Sequence, residues 1–285
     1  MLAILTLIVL TLLPARANSR TKAQSVRCLD NLRQIEAAIS MYTHDNHDLL
    51  PPNPNDGTRK AGYTWCVGQA GVGQADEFDS DLLTDPTNCV IAPYLNGNAP
   101  LFRCTADVRV GTYDGGLLYP NSPLRGLKVP AARTISMSQA VGTIDPQFSS
   151  GGGHSGIPNL PVNGRWLTGT AGQNSAVFGP FRTYGKLSQM MIPGPSQLVI
   201  ITEEAPLSLN EGSLAASVNP SNAIWIDYPS TLHDNGCVVS FADGHVELHK
   251  WVGTALILTG LPSTKRVQPT DPDWLWFAQR ISARF

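Results

Sequence analysis

The chain has 285 residues, of which 42% are hydrophobic and only 15% charged, with 26 Gly and 22 Pro. That hydrophobic share and a net charge of −2 exclude an intrinsically disordered chain, which combines low hydrophobicity with high net charge. The small net charge also gives no electrostatic footprint for nucleic acid, and no such partner is expected. A charged share below the ~25% of typical soluble domains points outward, to a wall, a membrane or an assembly.

Residues 1–13 read MLAILTLIVLTLL, with Leu2, Ile4, Leu5, Leu7, Ile8, Val9, Leu10, Leu12 and Leu13 broken only by Ala3, Thr6 and Thr11. At a helical rise of about 1.5 Å per residue the run reaches about 20 Å, short of the ~30 Å hydrocarbon core. Ala15-Arg16-Ala17 has the form of a cleavage site, so one reading removes residues 1–17 as a signal peptide. No Lys or Arg precedes the apolar run, which weighs against that reading. From Ala15 to His47 there is no Gly or Pro, and Val26, Leu29, Leu32, Ile35, Ile39 and Tyr42 recur every three or four positions. That spacing predicts an amphipathic helix. The expectation is therefore a stem over 1–48, apolar over 1–13, amphipathic over 15–47, and kinked at Pro14, which removes a backbone donor. Leu2 to Leu13 would carry assembly, and Val26, Leu29, Ile35 and Ile39 would pack on a head.

Leu49 to Gly57, LLPPNPNDG, reads as a helix stop and linker, and 49–285 as a head of short strands broken by turns. Strands are predicted at Thr134–Met137 and Leu198–Thr202, and residues 145–175 as a long surface loop. The clearest local signal is the hairpin within 233–251, around CVVSFADGHVELHKW. Asp243-Gly244 predicts a two-residue type I′ turn, placing Phe241 opposite Val246, Val239 opposite Leu248 and Cys237 opposite Lys250. Ala242 with His245, Ser240 with Glu247 and Val238 with His249 would line the other face. Cys237 then reads as a buried free thiol. The fold class is α+β: a long stem helix packed on a head rich in antiparallel strands.

Motifs that carry chemistry are few. H-E-x-x-H, P-loop and G-x-S-x-G motifs are absent, and Gly153-His154-Ser155-Gly156 reads as a flexible loop. Glu203 and Glu204 are strand neighbours pointing to opposite faces, a poor acid–base dyad. Asp76, Asp79 and Asp81 form an oxygen-rich stretch suited to calcium but without EF-hand spacing, so a solvated acidic loop is expected. His233, Asp234, Asp243 and His245 gather around the hairpin in sequence. A six-residue strand of about 20 Å separates His233 from Asp243, so one shared metal site is not expected. His233 is instead expected to bond a backbone group of its own loop. No catalytic residue and no cofactor is predicted, structural calcium at the acidic stretch being the one candidate. The five cysteines, Cys28, Cys66, Cys89, Cys104 and Cys237, contain no C-x-x-C.

Several motifs occur together: the N-terminal run through LDNLRQIEAAISMYTHDNHDLLPP, Cys104-Thr-Ala-Asp107, Arg133-Thr-Ile-Ser-Met137, Trp225-Ile-Asp-Tyr-Pro229, and His233 followed by DNGCVVSFA and Asp243-Gly244. Together they resemble the type IV pilin-like and type II secretion pseudopilin-like proteins, closest to the planctomycete–verrucomicrobial group with the prepilin-type processing-associated H-x9-DG signature. Met1 aligns several residues inside that family's apolar stem, whose members carry a basic leader, a Gly and Phe-Thr-Leu-Ile-Glu ahead of it. The resemblance implies a non-enzymatic subunit of a pilus-like filament or secretion pseudopilus. It would associate with itself or with other pilin-like subunits, in the inner membrane before assembly and then in a periplasmic or cell-surface filament. It also implies a Cys28–Cys104 disulfide clamping helix to head, with Cys66 and Cys89 as a second, local pair. His233, Asp243, Gly244 and His245 form the signature hairpin, read as a structural device. The alternative is an exported monomeric binding protein, for glycans among others, whose six Trp and seven Tyr would offer stacking platforms.

Overall fold

Short runs rich in β-branched residues build the centre of the molecule. The computed structural model describes residues 2–53, 62–115, 118–144, 160–171 and 179–285, with the backbone alone for 2–20. In chain order the strands are β1 (Val110–Thr112), β2 (Lys128–Pro130), β3 (Ile135–Ser138), β4 (Thr143–Ile144), β5 (Leu160–Pro161) and β6 (Val199–Glu203). They continue with β7 (Ser213–Leu214), β8 (Ile224–Trp225), β9 (Gly236–Phe241), β10 (Val246–Lys250) and β11 (Lys265–Arg266). The helices are α1 (Leu2–Asp45) and α2 (Pro272–Ile281). The main sheet has the order β10-β9-β6-β3-β7, antiparallel throughout except for the parallel β3–β7 pair. Every residue of β3, β6 and β9 is buried, so the central strands are covered on both faces. The apolar runs of β6 and β9 reflect that double cover, whereas β3 alternates Ile135 and Met137 with two serines.

The expected stem helix kinked at Pro14 is corrected. The helix that packs on the sheet has 25 residues and starts at Thr21, and α1 carries no break at Pro14. Packing sets its effective start: Gln24 and Ser25 already reach the head, through the Thr105 carbonyl and His233. Among the described residues no helix is long and apolar enough to cross a membrane. The packed face is also rotated from the expected one. Ser25, Cys28, Leu32, Ile35, Ala38, Ile39 and Thr43 are buried, Leu29 and Tyr42 flank them, and Val26 is 62% exposed. Val26 lies about 100° around the helix from Ser25, which is enough to carry it into solvent. This face lies over β9, β10 and the single turns Ala92–Leu95 and Ala99–Phe102.

The hairpin register is corrected by one residue. Val246 pairs with Ser240 and Leu248 with Val238, while the Phe241 N–H bonds the His245 carbonyl. The loop is thus three residues, Ala242-Asp243-Gly244. Gly244 takes φ +87°, and Asp243 is not among the positive-φ residues, so the turn is not type I′. A turn closed by a left-handed glycine is the usual three-residue solution. The slip places Val246 and Leu248 on the side of Ser240 and Val238, facing α1. Phe241 stays on the other side, where the His245 ring stacks on it at 4.2 Å.

Two stretches read as connectors contribute to the core. After α1, Leu50 is buried, and the Asn53 amide donates to the Ser138 and Val141 carbonyls. Within 145–175, β5 pairs with β4 and Val162 and Leu167 are buried, while 145–159 and 172–178 lie outside the described residues. At the C-terminus Asp271 caps α2 by accepting the Asp273 and Trp274 N–H groups, and Trp274, Phe277, Ala278 and Ile281 form its buried stripe.

Candidate functional site

Four elements meet beneath α1. Cys28 comes from the buried face of the helix. Cys104 follows the Ala99–Phe102 turn, its N–H donating to Thr134 Oγ1 at 2.6 Å. Glu203 ends β6. His233 precedes β9 in a loop where Asp234 and Asn235 adopt left-handed backbone angles and Lys250 Nζ donates to the His233 carbonyl. That loop turns the imidazole inward. Each of the four side chains is 0–1% exposed.

The Sγ atoms of Cys28 and Cys104 lie 3.3 Å apart, with no bond between them. His233 Nε2 is 3.3 Å from Cys104 Sγ and 3.2 and 3.1 Å from the two Glu203 carboxylate oxygens. The four ligand-type atoms all lie within 4.8 Å of one another. Backbone groups surround them: Thr105 N–H donates to Cys28 Sγ at 3.2 Å, Ala106 N–H to Cys104 Sγ at 3.4 Å, and Val238 N–H to Glu203 Oε2 at 2.9 Å. The Ser25 hydroxyl donates to the Thr21 carbonyl, so at 3.1 Å its oxygen accepts from His233 Nδ1–H.

The electrostatics follow from burial and these contacts. The Cys104 hydrogen bond, helped by His233 and Thr105 and opposed by burial, lowers Cys28 to about 4. Cys104 rises, because of its hydrogen bond with Cys28 and because it is buried near Glu203. Burial works to lower His233, but Cys28 and Glu203 outweigh it and raise it to about 10. Burial raises Glu203. The group can hold a thiolate beside an imidazolium, close a disulfide, or ligate a soft cation. Its complete burial offers no seat for a substrate.

The other expected sites fall elsewhere. His233 bonds side chains rather than the backbone of its own loop, because the loop aims it into the core. Sequence reasoning missed its partnership with Glu203. The available signal was a carboxylate closing an otherwise apolar strand. Glu204 joins a different network, accepting from Ser136 and Ser208. Asp243 and His245 pair with each other at the exposed hairpin tip. Cys66, Cys89 and Cys237 are buried free thiols, so the second expected pair is not bonded. In the acidic stretch Tyr113 donates to Asp79 and Asp81, Gln69 N–H donates to Asp76, and Arg109 pairs with Glu77. Among the described residues only the Cys28–Cys104–Glu203–His233 group gathers three or more ligand types at coordinating distance. Gly153-His154-Ser155-Gly156 lies outside the described residues.

Four of the six tryptophans, Trp65, Trp225, Trp251 and Trp274, are buried, and Trp276 is stacked on His249 at 3.6 Å. They are spent on the core rather than on a sugar-stacking surface. Compared with protein-family models, curated proteins and solved structures, the chain matches none.

Proposed function

We propose that the chain is a non-enzymatic structural subunit of a pilus-like filament or secretion pseudopilus, working in the cell envelope with copies of itself or with related subunits. The observation that carries the reading is the buried knot of Cys28, Cys104, Glu203 and His233. Three of them, Cys28, Cys104 and His233, are singled out by the pilin-like resemblance, and all four sit at the seam between helix and head, closed to solvent, where they fasten one to the other. A fastened helix transmits load between subunits. An enzyme would instead leave such groups in an open cleft. The apolar residues Leu2 to Leu13 lie directly N-terminal to the fastened segment. Alone they are too short to cross a bilayer, so the reading assigns their burial to a bundle of neighbouring subunits, held by van der Waals packing.

The test compares the full chain with a Leu5→Asp, Ile8→Asp, Leu12→Asp variant by sedimentation and negative-stain microscopy. The full chain should self-assemble or partition into detergent, and the variant should stay monomeric with unchanged far-UV dichroism. A full chain that is monomeric without detergent, or a variant that assembles equally well, overturns the reading.

A further inference from the structure

We propose that Cys28, Cys104, His233 and Glu203 form a structural zinc site that locks α1 to the head. The ligand set suits the ion: two sulfurs, an imidazole nitrogen and a carboxylate oxygen, from four separate elements, with no position open to solvent. With Zn–S near 2.3 Å and Zn–N and Zn–O near 2.0 Å, a tetrahedral site has edges of about 3.8 Å for S–S, about 3.5 Å for S–N and about 3.3 Å for N–O. The observed separations are 3.3 Å, 3.3 Å and 3.1–3.2 Å. Three of the six edges are thus slightly shorter than those of a filled site and the other three are at most 4.8 Å, so a small outward movement would admit the ion.

The surrounding hydrogen bonds suit a metal in three ways. Ser25 accepts from His233 Nδ1–H, so Nε2, which faces Cys104 and Glu203, is the nitrogen that would give up its proton to a metal; a second group fixing the tautomer is typical of a metal-bound histidine. Backbone N–H groups of Thr105, Ala106 and Val238 reach both sulfurs and the carboxylate, and so disperse the negative charge that two thiolates and a carboxylate leave around a divalent ion. Finally, two sulfurs, a nitrogen and a carboxylate oxygen face one another in a buried space, where either their own protons or one shared cation must satisfy them, and a divalent ion would serve all four at once. On binding, Cys104 and the His233 imidazolium release their protons to water, Cys28 being already a thiolate, and Zn–S and Zn–N bonds form with no change of oxidation state. A Cys28–Cys104 disulfide would use only the sulfurs, leaving Glu203 and His233 to pair with each other beside it.

The inference goes beyond the filament reading and stands or falls separately. A zinc-binding chain that remains monomeric sinks only that reading, and an assembling chain without metal sinks only this one. The full chain is purified without chelator, its metal content is measured, and Co²⁺ is then exchanged in as a spectroscopic probe. About one zinc per chain is expected, with a thiolate-to-cobalt charge-transfer band and the visible bands of tetrahedral Co²⁺. His233→Ala should abolish the tetrahedral spectrum. Ser25→Ala, which keeps all four ligands, should weaken zinc about tenfold in competition with a chelator. If the variants fail to fold, the unmodified chain still decides. No stoichiometric zinc after loading and no charge-transfer band, or a Cys28–Cys104 disulfide in a non-reducing peptide map of the native protein, overturns the proposal.

Discussion

Replacing Glu36 by glutamine should stabilise the protein in a way that grows with pH. Glu36 projects from α1 onto β9, is 5% exposed, and accepts a hydrogen bond from Ser240 Oγ at 2.8 Å. It lies at the floor of a small cavity whose other charged members are Arg33 of the same helix and Asp243 of the hairpin loop. Burial, with a further push from Asp243, raises the carboxyl from 4.5 to about 7 despite the Ser240 bond. The folded chain therefore holds this proton more tightly than the unfolded chain does. Its stabilising effect is complete below pH ~4.5 and is lost as pH rises to about 7. At about 1.4 kcal/mol per pH unit between the two values, the loss is about 3 kcal/mol. Glutamine keeps an acceptor for Ser240 and has no charge to bury. Urea unfolding of both proteins from pH 4.5 to 8 measures the effect, and subtracting the two curves cancels every other titrating group. The difference should be near zero at pH 4.5 and approach about 3 kcal/mol at pH 8, in favour of the variant. A difference that stays flat across this range would falsify the reasoning.

Two further outcomes follow from the fold. Gly244→Val should cost about 1–2 kcal/mol, because Gly244 sits at φ +87° while an added Cβ meets nothing within 4 Å. Thermal unfolding checks this, and an unchanged midpoint would remove the turn argument. Ile35→Ala, on the buried face of α1, should cost about 2–5 kcal/mol, whereas Val26→Ala should stay within about 0.5 kcal/mol. Equal effects in chemical denaturation would mean that the helix presents a different face.

Much of the local structure was written in the sequence. The three-and-four spacing from Val26 to Tyr42 marks a helix, the apolar run at Leu198–Thr202 marks the strand found as β6, and Asp243-Gly244 marks a reversal. These are short-range properties, set by side-chain periodicity and by the backbone angles that glycine alone adopts freely. Tertiary packing decided the rest. The periodicity is compatible with several faces of α1, and the choice of Cys28 over Val26 came from the sheet and turns beneath the helix. The hairpin took one more loop residue because β9 is buried on both faces, so no single-sided alternation could specify its register. Where the packed helix begins was likewise set by the reach of the head, near Gln24 and Ser25, and not by Pro14. The buried site is the clearest case. Cys28, Cys104, Glu203 and His233 are separated by as many as 205 positions along the chain, between Cys28 and His233. The family resemblance marks Cys28, Cys104 and His233 but not Glu203, and only the crossing of helix, turn, strand and loop brings the four ligand atoms to within 4.8 Å of one another.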